Sequence, residues 1–204
     1  IRRFKDRVDV VTYGMGVGCD FRATRIAADV NGTRFELEAK GRTFMVRLPL
    51  IGRYNVYNVL SVLAATKAMG LNLRESVQHL EEAPQVPGRL EAIDHIGGFK
   101  VYVDYAHTPD ALENVLKILR DLSPRRLICV FGCGGNRDRE KRKLMGMASR
   151  NHADVSVVTS DNPRNEDPEA IINDIGTAFG SDYYVKYVDR REAIRRSIAM
   201  ALPG

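Results

Sequence analysis

Several things are scarce in this chain, and each scarcity removes a class of protein. Cysteine occurs three times, at Cys19, Cys129 and Cys133, an odd number that builds no disulfide framework and is expected as reduced thiols. Cys129, Cys133 and His152 match no common zinc spacing. His79, His95 and His152 have no catalytic setting. No run of about 18 apolar residues exists for a helical membrane span, and Ile1-Arg2-Arg3-Phe4-Lys5 leads into no signal-type apolar segment. A cytoplasmic protein without a membrane span is therefore expected. Charge of one sign is scarce too: 31 Lys+Arg stand against 26 Asp+Glu, a net +5. That balance suits anionic ligands such as nucleotides, and the dispersed basic residues argue against nucleic acid. Steep salt-dependent DNA or RNA affinity would mark that alternative.

What is present begins with a β-rich stretch. Residues 8 to 50 alternate β-branched or aromatic runs, Val8 to Gly14, Phe35 to Glu38 and Phe44 to Leu48, with turn signals such as Asn31-Gly32. A small antiparallel β-region is expected. Val56, Val59, Leu60, Leu63 and Ala64 then recur at helical spacing over 55–69, with Gly70 placed to stop the helix. A second helix is predicted over Leu73 to Glu82. Two prolines in Pro84-Gln85-Val86-Pro87-Gly88-Arg89 forbid a helix, so a domain boundary is placed there, giving domains 1–84 and 85–204; the connector is a candidate hinge.

Past the connector the pattern changes to α/β. Phe99 to Asp104 reads as a strand. Thr108 and Pro109 cap and open a helix whose face carries Leu112, Val115, Leu116, Leu119 and Leu122. Leu127 to Phe131 and Asp154 to Thr159 are further strands, with a helix between them through Met147 and Ala148. Asp167-Pro168 opens another helix, Tyr183 to Val188 reads as a strand, and Ala193 to Ile198 as a last helix. This alternation implies βαβ units and a parallel sheet. Ligands bind outside the carboxyl ends of such strands, so the loops after residues 131 and 159 are expected to face one cleft.

The first of those loops, Gly132-Cys133-Gly134-Gly135-Asn136-Arg137-Asp138-Arg139, is not a dinucleotide fingerprint, because its third glycine would fall at Arg137, and no Gly-Lys-Ser/Thr ending is present. It reads either as a structural tight turn or as a ligand loop. Arg137, Arg139, Lys141, Arg142 and Lys143 crowd a helix N-terminus, where anions are favoured and cations are not. Some of them are placed to meet an anionic ligand, and most are expected on a solvated face. Asp161-Asn162-Pro163-Arg164 is either a β-turn or a clamp whose acceptor, amide and guanidinium hold both ends of an amino acid. Asp104 is placed to accept ribose hydroxyls, and His107 is either a ligand contact or a hydrogen-bonded surface histidine. Asn55 and Asn58 share one helix face and together suit a planar heterocycle, since capping explains just one of them.

The order of five segments resembles the Mur ligase family of peptidoglycan synthesis, across essentially the whole chain. They are Gly52 to Asn58, Val86 to Glu91, Asp104 to Pro109, Phe131 to Asp138, and Asp161 to Arg164. The resemblance implies a C-terminal Rossmann-like parallel-sheet domain preceded by the β-rich and helical tail of a central ATPase domain. It implies a monomeric, ATP-dependent acid–amino-acid ligase of cell wall biogenesis, cell shape and cell division. The branch it points to joins meso-diaminopimelate to UDP-N-acetylmuramoyl-L-Ala-D-Glu through an acyl phosphate. Asn55, Asn58, Arg89, Asp104 and His107 are implied to contact ATP, and Arg137, Asp161, Asn162, Pro163 and Arg164 to bind diaminopimelate. Arg164 is implied to distinguish diaminopimelate from lysine. Asn136 departs from the family's usual Asp. The chain is expected to be part of something longer and inactive alone, with no catalytic residue or metal ligand within it and the Mg2+ ligands elsewhere. Lysine-adding, cyanophycin-type or folylpolyglutamate-type ligases, or a non-catalytic nucleotide- or amino-acid-binding module, are the alternatives. A phosphate-binding loop upstream would separate ligase from module.

Overall fold

The computed structural model describes residues 8–93 and 97–203. Expectations at Ile1 to Lys5, His95 and Gly204 lie outside them. The chain divides into two compact units, the first ending at Val86 and the second starting at Pro87.

The first unit carries strands β1 (Tyr13–Gly14), β2 (Phe21–Asp29), β3 (Gly32–Ala39) and β4 (Arg42–Leu48), then helices α1 (Arg53–Ala68) and α2 (Leu73–Glu81). Strands β2, β3 and β4 pair antiparallel in sequence order. The alternation expected of a half-buried strand is clear in β3, where Phe35, Leu37 and Ala39 are buried. Two tight turns close the hairpins. The second has Lys40 at φ 49 and Gly41 at φ 73, both positive, as a type I′ turn requires. In the first the turn residues are Val30 and Asn31, and Gly32 opens β3 where a Cβ would collide with the Leu48 carbonyl oxygen. Helix α1 buries Val56, Val59, Leu60, Leu63 and Ala64 as its spacing predicts. It stops at Gly70, whose φ of 85 lets Leu71 N–H reach back to the Thr66 carbonyl.

Two readings of this unit are corrected. Of Val8 to Gly14 just Tyr13–Gly14 forms a strand, and it pairs parallel to β2. Strand β2 stands outside the runs named from sequence, because Arg22, Ala23 and Arg25 dilute the strand signal of Phe21, Thr24 and Ile26. Pairing with β3 and burial of Phe21 and Ala23 outweigh that weakness.

The second unit comprises β5 (Glu91–Ile93), β6 (Val101–Val103), α3 (Pro109–Asp121), β7 (Ile128–Phe131), α4 (Glu140–His152), β8 (Val155–Thr159), α5 (Pro168–Gly176), β9 (Val185–Tyr187) and α6 (Arg190–Met200). Strands β7, β8 and β9 form a parallel sheet in that order, with Phe131 opposite Val158. The strand expected at 99–104 is not part of it. Strand β6 pairs antiparallel with β5, and Val103 is 45% exposed, whereas a strand inside a parallel sheet is covered on both faces.

The helices begin where the caps predict. Thr108 Oγ1 accepts from Ala111 N–H and Asp167 from Glu169 N–H, with Pro109 and Pro168 in the first turns. Leu112 and Leu116 of α3, Met145 of α4 and Ile171, Ile172 and Ile175 of α5 share one core with Phe131 and Val158, each worth about 1.5–3 kcal/mol of burial. At Gly146 a Cβ would sit 2.7 Å from the Ile175 carbonyl oxygen, so its absence lets α4 and α5 pack closely.

Candidate functional site: the strand-end loops of the second unit

Because β7 and β8 are parallel neighbours, the loops that leave them emerge side by side, and backbone contacts lace them together. Gly135 N–H donates to the Asn162 carbonyl at 2.8 Å, and Asn165 N–H donates to Asn136 Oδ1 at 3.1 Å. Glycine is required for this approach: a Cβ at Gly132 would strike the Thr159 carbonyl and one at Gly135 the Pro163 carbonyl. Two residues that are not glycine adopt left-handed backbone here, Asn136 and Arg164, each at φ 51. Asn tolerates that region; for Arg it is a strained exception of the kind that clusters at binding sites. The strain directs the Arg164 side chain across the first loop, where Nη1 donates to the Gly135 carbonyl at 2.7 Å. A Cβ at Gly134 would stand 2.9 Å from that nitrogen. Arg164 is otherwise exposed, as are Asp161, Asn162 and Arg137, with Pro163 half-buried. Among the described residues neither Arg137 nor Arg164 meets a carboxylate.

Most of the basic cluster lies on the solvated face expected of it, with Arg137, Arg139 and Lys143 exposed, and the exception is Arg142. Arg142 is fully buried. Its Nη2 donates to both oxygens of Glu166, at 2.8 and 2.9 Å, and its Nη1 to Asp174 Oδ2 at 2.8 Å. Arg139 reaches the same Asp174 oxygen at 3.1 Å. Hydrogen bonds from Arg142, seconded for Glu166 by Asn136 N–H, hold Glu166 and Asp174 below their ordinary carboxylate values. Lys141 turns to the His107 carbonyl at 3.2 Å. Of the five cations expected around this helix start, Arg137 and Lys143 make no ion pair among the described residues, and of these two Arg137 lies in the loop while Lys143 lies within α4. Burial raises the Cys133 thiol to about 11, so it is a core residue and not a nucleophile at neutral pH.

Glu166 and Asp174 carry no signal in the sequence. Their partner Arg142 lies 24 and 32 positions away, and no local pattern signals such pairs.

A second cluster sits where β6 ends. Asp104 accepts from Leu90 N–H and Ala106 N–H, each at 2.8 Å, and Tyr105 N–H donates to the Gly88 carbonyl at 2.8 Å. Each Asp104 oxygen thus keeps one further acceptor site. The exposed Arg89 guanidinium lies 5.2 Å from the Tyr105 ring centre, and Tyr105 meets the His107 ring edge-on. His107 Nδ1 pairs with the Tyr105 carbonyl at 3.1 Å, so Nε2 is the ring nitrogen left outward.

In the first unit, Asn55 is 8% exposed and donates to the Ile51 carbonyl at 2.9 Å, while Asn58 donates to Asn55 Oδ1 at 3.3 Å. Asn55 is therefore committed internally. Exposed Asn58 keeps its carbonyl and one N–H, an acceptor and donor side by side.

Comparison with known proteins bears on what such loops serve. The family model described as the Mur ligase glutamate ligase domain matches residues 88–204, and the Mur ligase middle domain matches residues 1–66. A Chlamydia trachomatis UDP-N-acetylmuramoyl-L-alanyl-D-glutamate--2,6-diaminopimelate ligase is 46% identical over 194 residues, covering 94% of this chain and 40% of its own length. A solved diaminopimelate ligase structure superposes with a TM-score of 0.69 at 37% identity, covering 96% of this chain and 41% of that one. Folylpolyglutamate synthase of Mycobacterium tuberculosis, complexed with ADP, gives 0.71 at 25% identity over 90% of this chain and 41% of that one. The chain spans about two fifths of the length of these relatives. Since one family model alone accounts for more than half of the residues, the chain belongs to the Mur ligase family.

Proposed function

We propose that this chain serves an ATP-dependent amide ligase that joins meso-diaminopimelate to UDP-N-acetylmuramoyl-L-Ala-D-Glu, and that its second unit holds the diaminopimelate. The observation that carries the reading is the pair of uncompensated guanidiniums, Arg137 and Arg164, on loops tied together by backbone hydrogen bonds. Diaminopimelate differs from lysine by a second zwitterionic end. A guanidinium offers a carboxylate two parallel N–H donors, and Arg164, with Nη1 held on Gly135, has further donors free. Asp161 and the Asn162 amide are proposed to take the ammonium, with Pro163 setting the turn.

The reaction proposed with this site has the glutamyl carboxylate attack the γ-phosphate of ATP, expelling ADP and giving an acyl phosphate; the neutral amine of diaminopimelate then attacks the acyl carbon, inorganic phosphate leaves, and the amide nitrogen loses its extra proton. This chain's share is to orient the amine donor by its carboxylate, which lowers the barrier through proximity rather than proton transfer. For the nucleotide, Asn58 of the first unit, supported by Asn55, is proposed to meet the edge of adenine. In the second unit Arg89, Asp104 and His107 are proposed to meet ribose. Magnesium, which the resemblance implies, finds no group of three His, Cys, Asp or Glu side chains among the described residues. The roles proposed here run through guanidinium, amide, carboxylate and imidazole groups.

The test is a calorimetric titration of the protein with meso-diaminopimelate and, separately, with lysine. Binding of diaminopimelate at least tenfold tighter supports the reading, a difference of about 1.4 kcal/mol. Equal affinity for both overturns it.

A further inference from the structure

Of the five cations at the start of α4, Arg139, Lys141 and Arg142 have partners within the protein, and Arg142 among them is buried. Taking a guanidinium wholly out of water is costly unless carboxylates and hydrogen bonds surround it, so its placement calls for a reason. The bonds that Arg142 makes supply one. Glu166, gripped at both oxygens by Arg142, also accepts the N–H of Asn136, the residue just before Arg137. The N–H of Glu166 returns to the Pro163 carbonyl at 3.0 Å, closing the turn that carries Arg164. A single residue therefore fixes backbone on both loops, the first through its carboxylate and the second through its own N–H, and Arg142 fixes the carboxylate.

We infer that Arg142 and Glu166 are positioning residues that set the directions of Arg137 and Arg164 without touching substrate. The inference rests on the diaminopimelate reading for its ligand, though its geometry stands apart from that reading. There is a charge consequence as well. Glu166 and Asp174 are the acidic groups nearest the two loops that are paired, and both are taken by Arg142 and Arg139. The network is close to neutral by itself, so it shields the loop-tip arginines from internal carboxylates and leaves them for an incoming one. Arg142 Nε, buried and without a partner among the described residues, marks how tightly the guanidinium is enclosed.

The test uses Glu166→Gln beside Leu116→Ala, a core substitution on α3, outside both loops in sequence and away from the Arg142–Glu166 bonds, that lowers stability. Two quantities are read: amide hydrogen exchange at Asn136 and Asn165, and the dissociation constant for diaminopimelate. Removing a charge-assisted bond of this kind should speed exchange at both amides roughly tenfold and weaken binding by a similar factor. Leu116→Ala should leave both near the unmodified protein's values. Unchanged exchange in Glu166→Gln overturns the inference, and so does an equal increase in both variants. Faster exchange confined to Glu166→Gln, in a protein that does not prefer diaminopimelate to lysine, upholds the positioning role and rejects the ligand. Should Glu166→Gln not fold, Glu166→Asp keeps the charge but shortens the reach, and the same outcomes apply to it.

Discussion

Two loop clusters in the second unit are held by carboxylates that accept backbone N–H groups, and they differ in what stands behind the carboxylate. Asp104 bonds Leu90 and Ala106 N–H, and among the described residues no cation engages it. Glu166 bonds Asn136 N–H and is itself held by a buried guanidinium. The lesson concerns rigidity. Both carboxylates make charge-assisted bonds to backbone N–H groups, but Glu166 is held in addition by a buried cation, so the cluster carrying Arg137 and Arg164 is braced where the cluster carrying Arg89 and His107 is merely tethered.

The largest effect should come from removing the brace. Arg142→Met leaves two carboxylates facing each other, but Glu166 and Asp174 are 25% and 36% exposed and can recover some hydration. The loss is expected at about 2–4 kcal/mol, read as a lower denaturant midpoint for the second unit. A change below about 0.5 kcal/mol would place the network with inconsequential surface pairs.

Acid should separate the clusters next. Glu166 and Asp174 have folded values lowered by Arg142. For a lowered carboxylate the stabilisation is complete above the unfolded value and is lost as pH falls through the folded one. Exchange at Asn136 should therefore quicken as pH drops from 4.5, the ordinary value for Glu166, after correction for intrinsic exchange rates. Leu90 and Ala106 amides should not share that added step. The same onset at all three would erase the contrast.

The smallest effect is expected at Asp104→Asn, which keeps one carbonyl acceptor and loses one bond. About 1 kcal/mol should follow, measured by thermal unfolding, with diaminopimelate binding unchanged.

Much of this layout is legible in the chain itself. Period-2 and period-3.6 patterns give the β3 strand and the α1 and α3 helices, and the caps at Thr108 and Asp167 mark the starts of α3 and α5 because capping is local chemistry. The glycines and the Asp161 to Arg164 segment mark the loops. What escapes is long-range. Strand β2 exists because β3 pairs with it, β6 left the parallel sheet for β5, and Arg142 looks like any basic residue on a helix until Glu166 and Asp174 arrive from another element. Asn55 and Asn58 show the same limit in miniature: the spacing puts both on one face, and just the fold reveals that Asn55 is occupied by the Ile51 carbonyl.

The most direct measurement is a titration with diaminopimelate and lysine repeated on Arg164→Ala. Loss of one bidentate carboxylate contact should weaken diaminopimelate roughly tenfold to a hundredfold and leave lysine within about twofold, erasing the preference between them. A variant that still favours diaminopimelate as strongly as the unmodified protein would contradict the account.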